Sequence, residues 1–298
     1  MIKKLDQVIS KVKSIQTMKL AVAAAQDEEV LKAVFDARKE GIINPILVGD
    51  IQKIKEIATE LNEDIQGIEL IEAKDLKESA EIAVKLVSSE KADFVMKGLI
   101  DTSILLKEVL NKEYGLRTQS LLSHVMIYEV PSYHKLLIMT DGGMNISPNA
   151  DQKYKIMNNA IKVGKSLELD TVKAACIAAK EKVNEKMIAT VDADKLSKME
   201  YEDGVIVEGP LAFDLAISKE AARVKNFKSE VAGDADIMLV PTIEVGNGIG
   251  KALTYMANAK SAGIIMGAKS PVVLVSRADT HESKLYSIAI GALIANNK

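Results

Sequence analysis

Ser276-Arg277 follows the apolar run Val272-Val-Leu-Val275 and precedes Ala278-Asp279-Thr280, a polar mouth that opens a helix. At the carboxyl end of a parallel strand the next helix turns its first backbone N–H groups towards the crevice, which suits an anion such as phosphate. A guanidinium there adds a fixed charge whose planar fork holds two phosphate oxygens. The plainer reading makes Ser276 or Asp279 a helix cap and Arg277 half of a surface ion pair. The residues alone leave both readings standing.

Three further segments share this strand-then-polar pattern. Val240-Pro-Thr-Ile-Glu244-Val-Gly246-Asn247-Gly248-Ile-Gly250-Lys251 is glycine-rich, which allows close backbone approach to a ligand or simply tight loop packing. Its glycines lack the dinucleotide spacing, and no Gly-Lys-Ser/Thr of a P-loop occurs. Asp141 and Asn145, in Asp141-Gly-Gly-Met-Asn145-Ile-Ser-Pro148, can orient a ligand or hold their own loop through side-chain-to-backbone bonds. Lys97 and Gly98 end the run Phe94-Val-Met96, where the ammonium can attract phosphate or stand in solvent. Ser123 and His124 open an otherwise apolar run, placing polar groups in a strand that faces a cleft or bonds locally.

The elements that must position these residues are legible as an alternation. Apolar, β-branched runs at 20–24, 45–48, 68–71 and 94–96 are each followed by an amphipathic stretch, the pattern of strands joined by crossover helices in a mainly parallel sheet. Runs 121–130 and 136–139, separated by Pro131-Ser-Tyr-His134, read instead as an antiparallel hairpin. The alternation resumes with strands at 172–178, 205–207, 237–240, 263–266 and 272–275, after a helix starting near Ala150. Leu285, Ile288, Ala289 and Leu293 predict a closing helix over 282–295 with one apolar face. Asp27-Glu28-Glu29 suits a helix N-terminus, and Leu5, Val8, Ile9, Val12 and Ile15 mark a surface helix near the start.

At 298 residues and 48% hydrophobic, the chain is long enough for two α/β domains. A formal charge of -3 removes the global positive charge that nucleic-acid binding exploits. The lone Cys176 excludes a disulfide framework, fits a reducing compartment, and sits in an apolar strand as small filler. His124, His134 and His281 lack metal-site spacing, so no structural metal is expected. Without a signal-peptide core or a membrane-length apolar run, a soluble, cytoplasmic protein with no membrane partner is the expectation.

In order along the chain, these segments resemble the phosphate acetyl/butyryl transferase family, most closely its butyryl branch. The resemblance is carried by Ala21-Val-Ala-Ala-Ala25 with Asp27-Glu-Glu, Met96-Lys-Gly98, Ser123-His124, Asp141 to Pro148, Val207-Glu-Gly-Pro-Leu211, Ala232-Gly-Asp-Ala-Asp236, Glu244-Val-Gly-Asn247 and Ser276-Arg-Ala-Asp279. It implies a fold like that of isocitrate and isopropylmalate dehydrogenases: two α/β domains with mainly parallel sheets, helices on both faces, and an interdomain cleft. The expected domains are 1–138 plus 268–298, and 139–267. The implied activity moves a short acyl group between coenzyme A and phosphate, by direct attack and with no tightly bound cofactor. Acyl-CoA, phosphate and acyl phosphate are then the small-molecule partners, coenzyme A being a substrate, and the family is homo-oligomeric.

The resemblance carries Ser276 and Arg277 over as catalytic, with Lys97, Gly98, Ser123, His124, Asp141, Asn145, Glu244, Gly246 and Asn247 expected around the substrate. Acetyl-transferring relatives often place an aspartate shortly after the Ser-Arg pair as base for the thiol, where this chain has Ser283. Its neighbour Glu282 either takes that role or complements the first helical turn. Two rivals use the same architecture: a metal-assisted dehydrogenase, for which Asp234 and Asp236 are the available carboxylates, and a non-catalytic acyl-CoA or phosphate sensor.

Overall fold

A computed structural model describes residues 1–275 and 279–297. After α1 (Leu5–Val12) the chain alternates through β1 (Met18–Ala23), α2 (Glu28–Lys39), β2 (Ile43–Gly49), α3 (Ile51–Glu60), β3 (Glu69–Glu72), α4 (Leu76–Ser88), β4 (Phe94–Lys97) and α5 (Thr102–Val109). The hairpin of β5 (Ser123–Glu129) and β6 (Leu137–Thr140) interrupts this rhythm. It resumes with α6 (Ala150–Ser166), β7 (Val172–Ile177), α7 (Ile188–Ser197), β8 (Val205–Leu211), α8 (Phe213–Ile217), α9 (Lys219–Val224) and β9 (Ile237–Leu239). Then come α10 (Ile243–Met256), β10 (Lys260–Met266), β11 (Val272–Val273) and α11 (His281–Asn296).

Local chemistry explains where several helices begin. Asp27, Asp50 and Asp75 each stand in extended backbone and accept from the N–H three residues on, satisfying one of the donors a helix start leaves over. Asn149 and Gln152 form a reciprocal capping box at α6. The stripe expected in the first helix is buried at Leu5, Val8 and Val12.

The chain divides into two compact units, each an α/β assembly with a mostly parallel sheet. One comprises Asp6–Ser120 and Ala262–Lys298. Its strands run in the order β3-β2-β1-β4-β11-β10, all parallel neighbours except the β11/β10 pair. Parallel strands buried on both faces need near-continuous apolar runs, as Phe94, Val95 and Met96 supply in β4. The closing helix differs from the one-faced expectation. Ile288, Ala289, Ile290, Ala292, Leu293 and Ile294 are all buried, because α11 packs against α2 while also resting on β4 and β11.

The other unit comprises Met1–Leu5 and Leu121–Ser261. Its strands run β5-β6-β9-β7-β8, with β5/β6 antiparallel and the rest parallel. Met139, Ile177, Leu211, Leu215 and Met238 form its core, onto which Ile249 and Leu253 of α10 pack. Cys176 is buried there, and burial pushes its thiol up to about 12, so it is inert filler. No described helix is long and apolar enough to cross a membrane.

A charged network ties the start of β6 to the starts of β7 and β9. Lys135 meets Asp236 at 2.6 Å and Asp234 at 3.2 Å, Lys173 meets Asp234 at 2.6 Å, and His134 Nε2 lies 2.7 Å from Asp234 Oδ1. The two aspartates a metal-assisted dehydrogenase would need are therefore neutralised by lysines. Burial pushes the Asp234 carboxyl up, but hydrogen bonds from Lys173 and His134 and the Lys135 charge outweigh it and hold the group below its ordinary value. The Asp234 hydrogen bond in turn raises Lys173.

A depressed carboxylate stabilises the fold above its unfolded pKa of about 3.9 and loses that contribution as pH falls through the folded value. A raised lysine contributes below about 10.4 and loses it as pH rises through its folded value. Urea unfolding of wild type and Asp234→Asn between pH 7 and pH 2 should therefore show a stability gap that is full near neutrality and narrows progressively as pH falls below about 4. A gap of constant size across that range would refute the ion-pair account.

Candidate active site

Lys97 ends β4, beside the point where the chain leaves β11, since Met96 pairs with Val273 in parallel register. The lysine is buried rather than solvated: its Nζ donates to Gly98 O at 3.2 Å and Ile100 O at 2.9 Å. The ammonium thereby shapes the turn that follows β4. Gly98 is held against the turn after β1, donating to Ala23 O at 2.8 Å, and a Cβ at Gly98 would come within 2.2 Å of Ala24 O. In this position the glycine serves backbone approach.

Ser276 and Arg277 lie outside the described residues. Beyond them, Thr280 caps α11, accepting from Ser283 N, so Asp279 is not the cap. Lys284 is buried one turn in and donates to Asp279 O at 2.5 Å. Glu282 is exposed in the first turn. The Tyr286 hydroxyl reaches its Oε1 at 3.0 Å and donates to Asp6 Oδ1 at 2.5 Å, while His281 Nε2 lies 2.5 Å from Asp36 Oδ2.

In the other unit Ser123, His124, Asp141, Asn145 and Gly246 come together. The pairing of Val125 with Thr140 sets the start of β5 against the end of β6. Asp141 is 3% exposed, with Oδ1 accepting from Gly143 N and Met144 N at 2.9 Å each. Its Oδ2 accepts from Asn145 Nδ2 at 2.6 Å, His124 N at 3.1 Å and Asn145 N at 3.3 Å. The carboxylate is the hub of its own loop, and Asn145 Nδ2 extends the hub to Leu122 O.

Ser123 is fully buried, its Oγ accepting from Asn159 Nδ2, which also serves Leu121 O. His124 packs on Gly143 so closely that a Cβ there would come within 2.4 Å of Nδ1. The segment expected to be a glycine-rich loop is the first half of α10. Two of its glycines are demanded by contact: a Cβ on Gly246 would meet Gly142 Cα at 2.6 Å, and one on Gly250 would meet the Tyr128 hydroxyl at 2.5 Å.

Glu244 and Asn247 project from this helix as exposed side chains. The N–H of Glu244 and the Thr242 hydroxyl hold the Glu244 carboxyl below its ordinary value. Asn159, Lys284 and Tyr286 escape a reading of motifs. For Lys284 alone a signal exists, because it stands four residues before Ile288 on a buried face.

These strand orders define the molecule as an α/β protein with mostly parallel sheets. Over 94% of the chain and 99% of the other, the fold matches a 4-hydroxythreonine-4-phosphate dehydrogenase from Burkholderia phymatum with TM-score 0.58 and 14% identity, a likeness of fold alone. A branched-chain phosphotransacylase from Enterococcus faecalis V583 is nearer, with TM-score 0.83 and 35% identity over 94% of this chain and 99% of that one. The phosphate acetyl/butaryl transferase family model matches residues 4–84 and 73–292. A phosphate butyryltransferase from Clostridium acetobutylicum is 48% identical over the full length of both chains. This chain belongs to the phosphate acetyl/butyryl transferase family, and is an acyltransferase.

Proposed function

We infer that this protein transfers a short acyl group between coenzyme A and phosphate, in a cleft between two lobes as the family resemblance implies. The observation that supports the site most directly is the shared exit of β4 and β11. There Lys97 and the segment leading to Ser276-Arg277 leave neighbouring parallel strands on the same side of the sheet, and α11 follows in the chain. Phosphate attacks the thioester carbonyl, or in reverse a coenzyme A thiolate attacks the acyl phosphate, the leaving group departing with the bond pair. Arg277 binds phosphate and offsets charge on the tetrahedral oxyanion, while Ser276 and the first N–H groups of α11 donate to it. The loop built on Asp141, with Glu244, Gly246 and Asn247 of α10, is the proposed second wall. Holding the reactants in line supplies a further part of the rate.

A free thiol has a pKa near 8.5, so a base is needed to raise the thiolate fraction at neutral pH. Glu282 is assigned that role in place of the aspartate that Ser283 replaces. Glu282→Ala should lower turnover of acyl phosphate with coenzyme A by roughly 10²-fold, the loss shrinking as pH approaches the thiol's own pKa. Equal turnover of both forms at every pH would return Glu282 to a helix-end charge. The reaction itself is tested by phosphate-dependent thiol release across acetyl-, propionyl-, butyryl- and branched acyl-CoA. Turnover with at least one of them is expected. Binding of acyl-CoA without turnover would identify a sensor, and reduction of a nicotinamide nucleotide would identify a dehydrogenase.

A further inference from the structure

Lys284 is 2% exposed, one turn into α11. Helical side chains lean towards the N-terminus of their helix, and this one carries its Nζ back to within 2.5 Å of the carbonyl of Asp279, the residue before the Thr280 cap. The ammonium therefore ends at the mouth of α11. A cation is disfavoured there twice over, because burial strips its water and the helix start is the positive end of the macrodipole. Two other buried lysines offset their desolvation with a carboxylate, Lys135 at Asp236 and Lys153 at Asp192, both at 2.6 Å. Lys284 has none among the described residues, where one carbonyl takes one of its three donors. Acids at the first turns of α11 are engaged elsewhere: Asp36 lies against His281, and Asp6 and Glu282 share the Tyr286 hydroxyl.

We propose that Lys284 is a second cation of the phosphate site, its ammonium binding the inorganic phosphate that attacks the thioester, or the phosphoryl group of the acyl phosphate in reverse. This rests on the reading that Arg277 and the start of α11 receive phosphate. An anion on the first N–H groups of α11 is within reach of an ammonium that touches the residue before the cap, and its charge offsets both the burial and the macrodipole. The two cations are not redundant. A guanidinium offers a rigid planar fork, whereas an ammonium is a compact charge with rotatable donors, so the pair can divide the oxygens of one phosphate. Without the anion, Lys284 weakens the fold, which is the trade of stability for function that binding sites carry.

Lys284→Met keeps the length of the stem and removes the charge. In phosphate-free buffer it should melt at or above the wild-type temperature, because the uncompensated charge is gone; a lysine kept for the fold would do the reverse. Inorganic phosphate alone should raise the melting temperature of wild type more than sodium chloride of equal ionic strength does, and the difference should shrink in Lys284→Met. In steady-state acyl transfer the KM for phosphate should rise by roughly 10- to 100-fold in Lys284→Met, with the KM for acyl-CoA unchanged, and Lys284→Arg should recover part of the loss. A Lys284→Met that melts well below wild type, or that keeps the wild-type KM for phosphate, would overturn the proposal. So would a rise confined to the acyl-CoA KM, since the ammonium would then face the phosphates of coenzyme A. If the wild type turned over no acyl-CoA, the transferase reading would fail, while the phosphate-dependent melting shift would still decide for or against Lys284.

Discussion

Replacing Arg277 by alanine is expected to lower phosphate-dependent acyl transfer by about two to three orders of magnitude, with the folded state unchanged. Phosphate and the tetrahedral intermediate both carry negative charge that water would solvate. In the proposed mechanism a guanidinium would replace that solvation without reorganising during the reaction, and the worth of such a group rises where the surroundings exclude water. If Arg277 binds phosphate in both ground and transition states, the KM for phosphate rises too; if it acts only on the oxyanion, kcat falls alone. Arg277→Lys keeps a charge but loses the planar fork, so it should recover part of the loss. Steady-state thiol release over a phosphate series, beside a melting curve, reads all of this. Wild-type kcat/KM in Arg277→Ala would remove the central group from the proposed mechanism.

Asp141→Ala is expected to destabilise the protein by about 3 to 5 kcal/mol, a size reached only when a buried polar hub is removed. The substitution deletes the acceptor for backbone N–H groups of His124, Gly143, Met144 and Asn145 and for the Asn145 side chain. Each buried donor left without its acceptor costs about 1 to 3 kcal/mol, less whatever the loop recovers by relaxing towards water. Asp141→Asn should fall between the two, because one oxygen can still serve Gly143 and Met144 while the amide NH₂ turns donors towards donors. In thermal unfolding Asp141→Ala should melt at least about 6 °C lower, using 2 °C per kcal/mol for a chain of this size. A melting point within a degree of wild type would mean the hub carries little of the loop's stability. Activity in Asp141→Asn distinguishes a loop organiser, which tolerates it in proportion to stability, from a ligand to substrate.

What could be read from residue order was what depends on near neighbours. Apolar runs such as Val172-Lys-Ala-Ala-Cys-Ile177 and Phe94-Val-Met96 announced strands because burial on both faces demands uninterrupted apolar residues. Asp27 announced a helix start because its carboxylate reaches an N–H three residues away. Pro131 to His134 announced a hairpin turn, and the family followed from the order of short motifs. None of these requires knowing what lies across the fold.

Where distant segments meet, residue types alone left the alternatives open, and tertiary structure decided among them. Asp141 could as well have faced a ligand until the β5/β6 register brought His124 N to its Oδ2. Lys97 looked solvent-facing until the turn after β4 closed over its ammonium. The glycines of 244–250 looked like a loop because their helix-breaking cost is local, whereas the contacts that require Gly246 and Gly250 come from Gly142 and Tyr128, far away in sequence. Helical period and capping are encoded within a few residues, but burial and close backbone approach belong to pairs of segments, so only the folded chain states them.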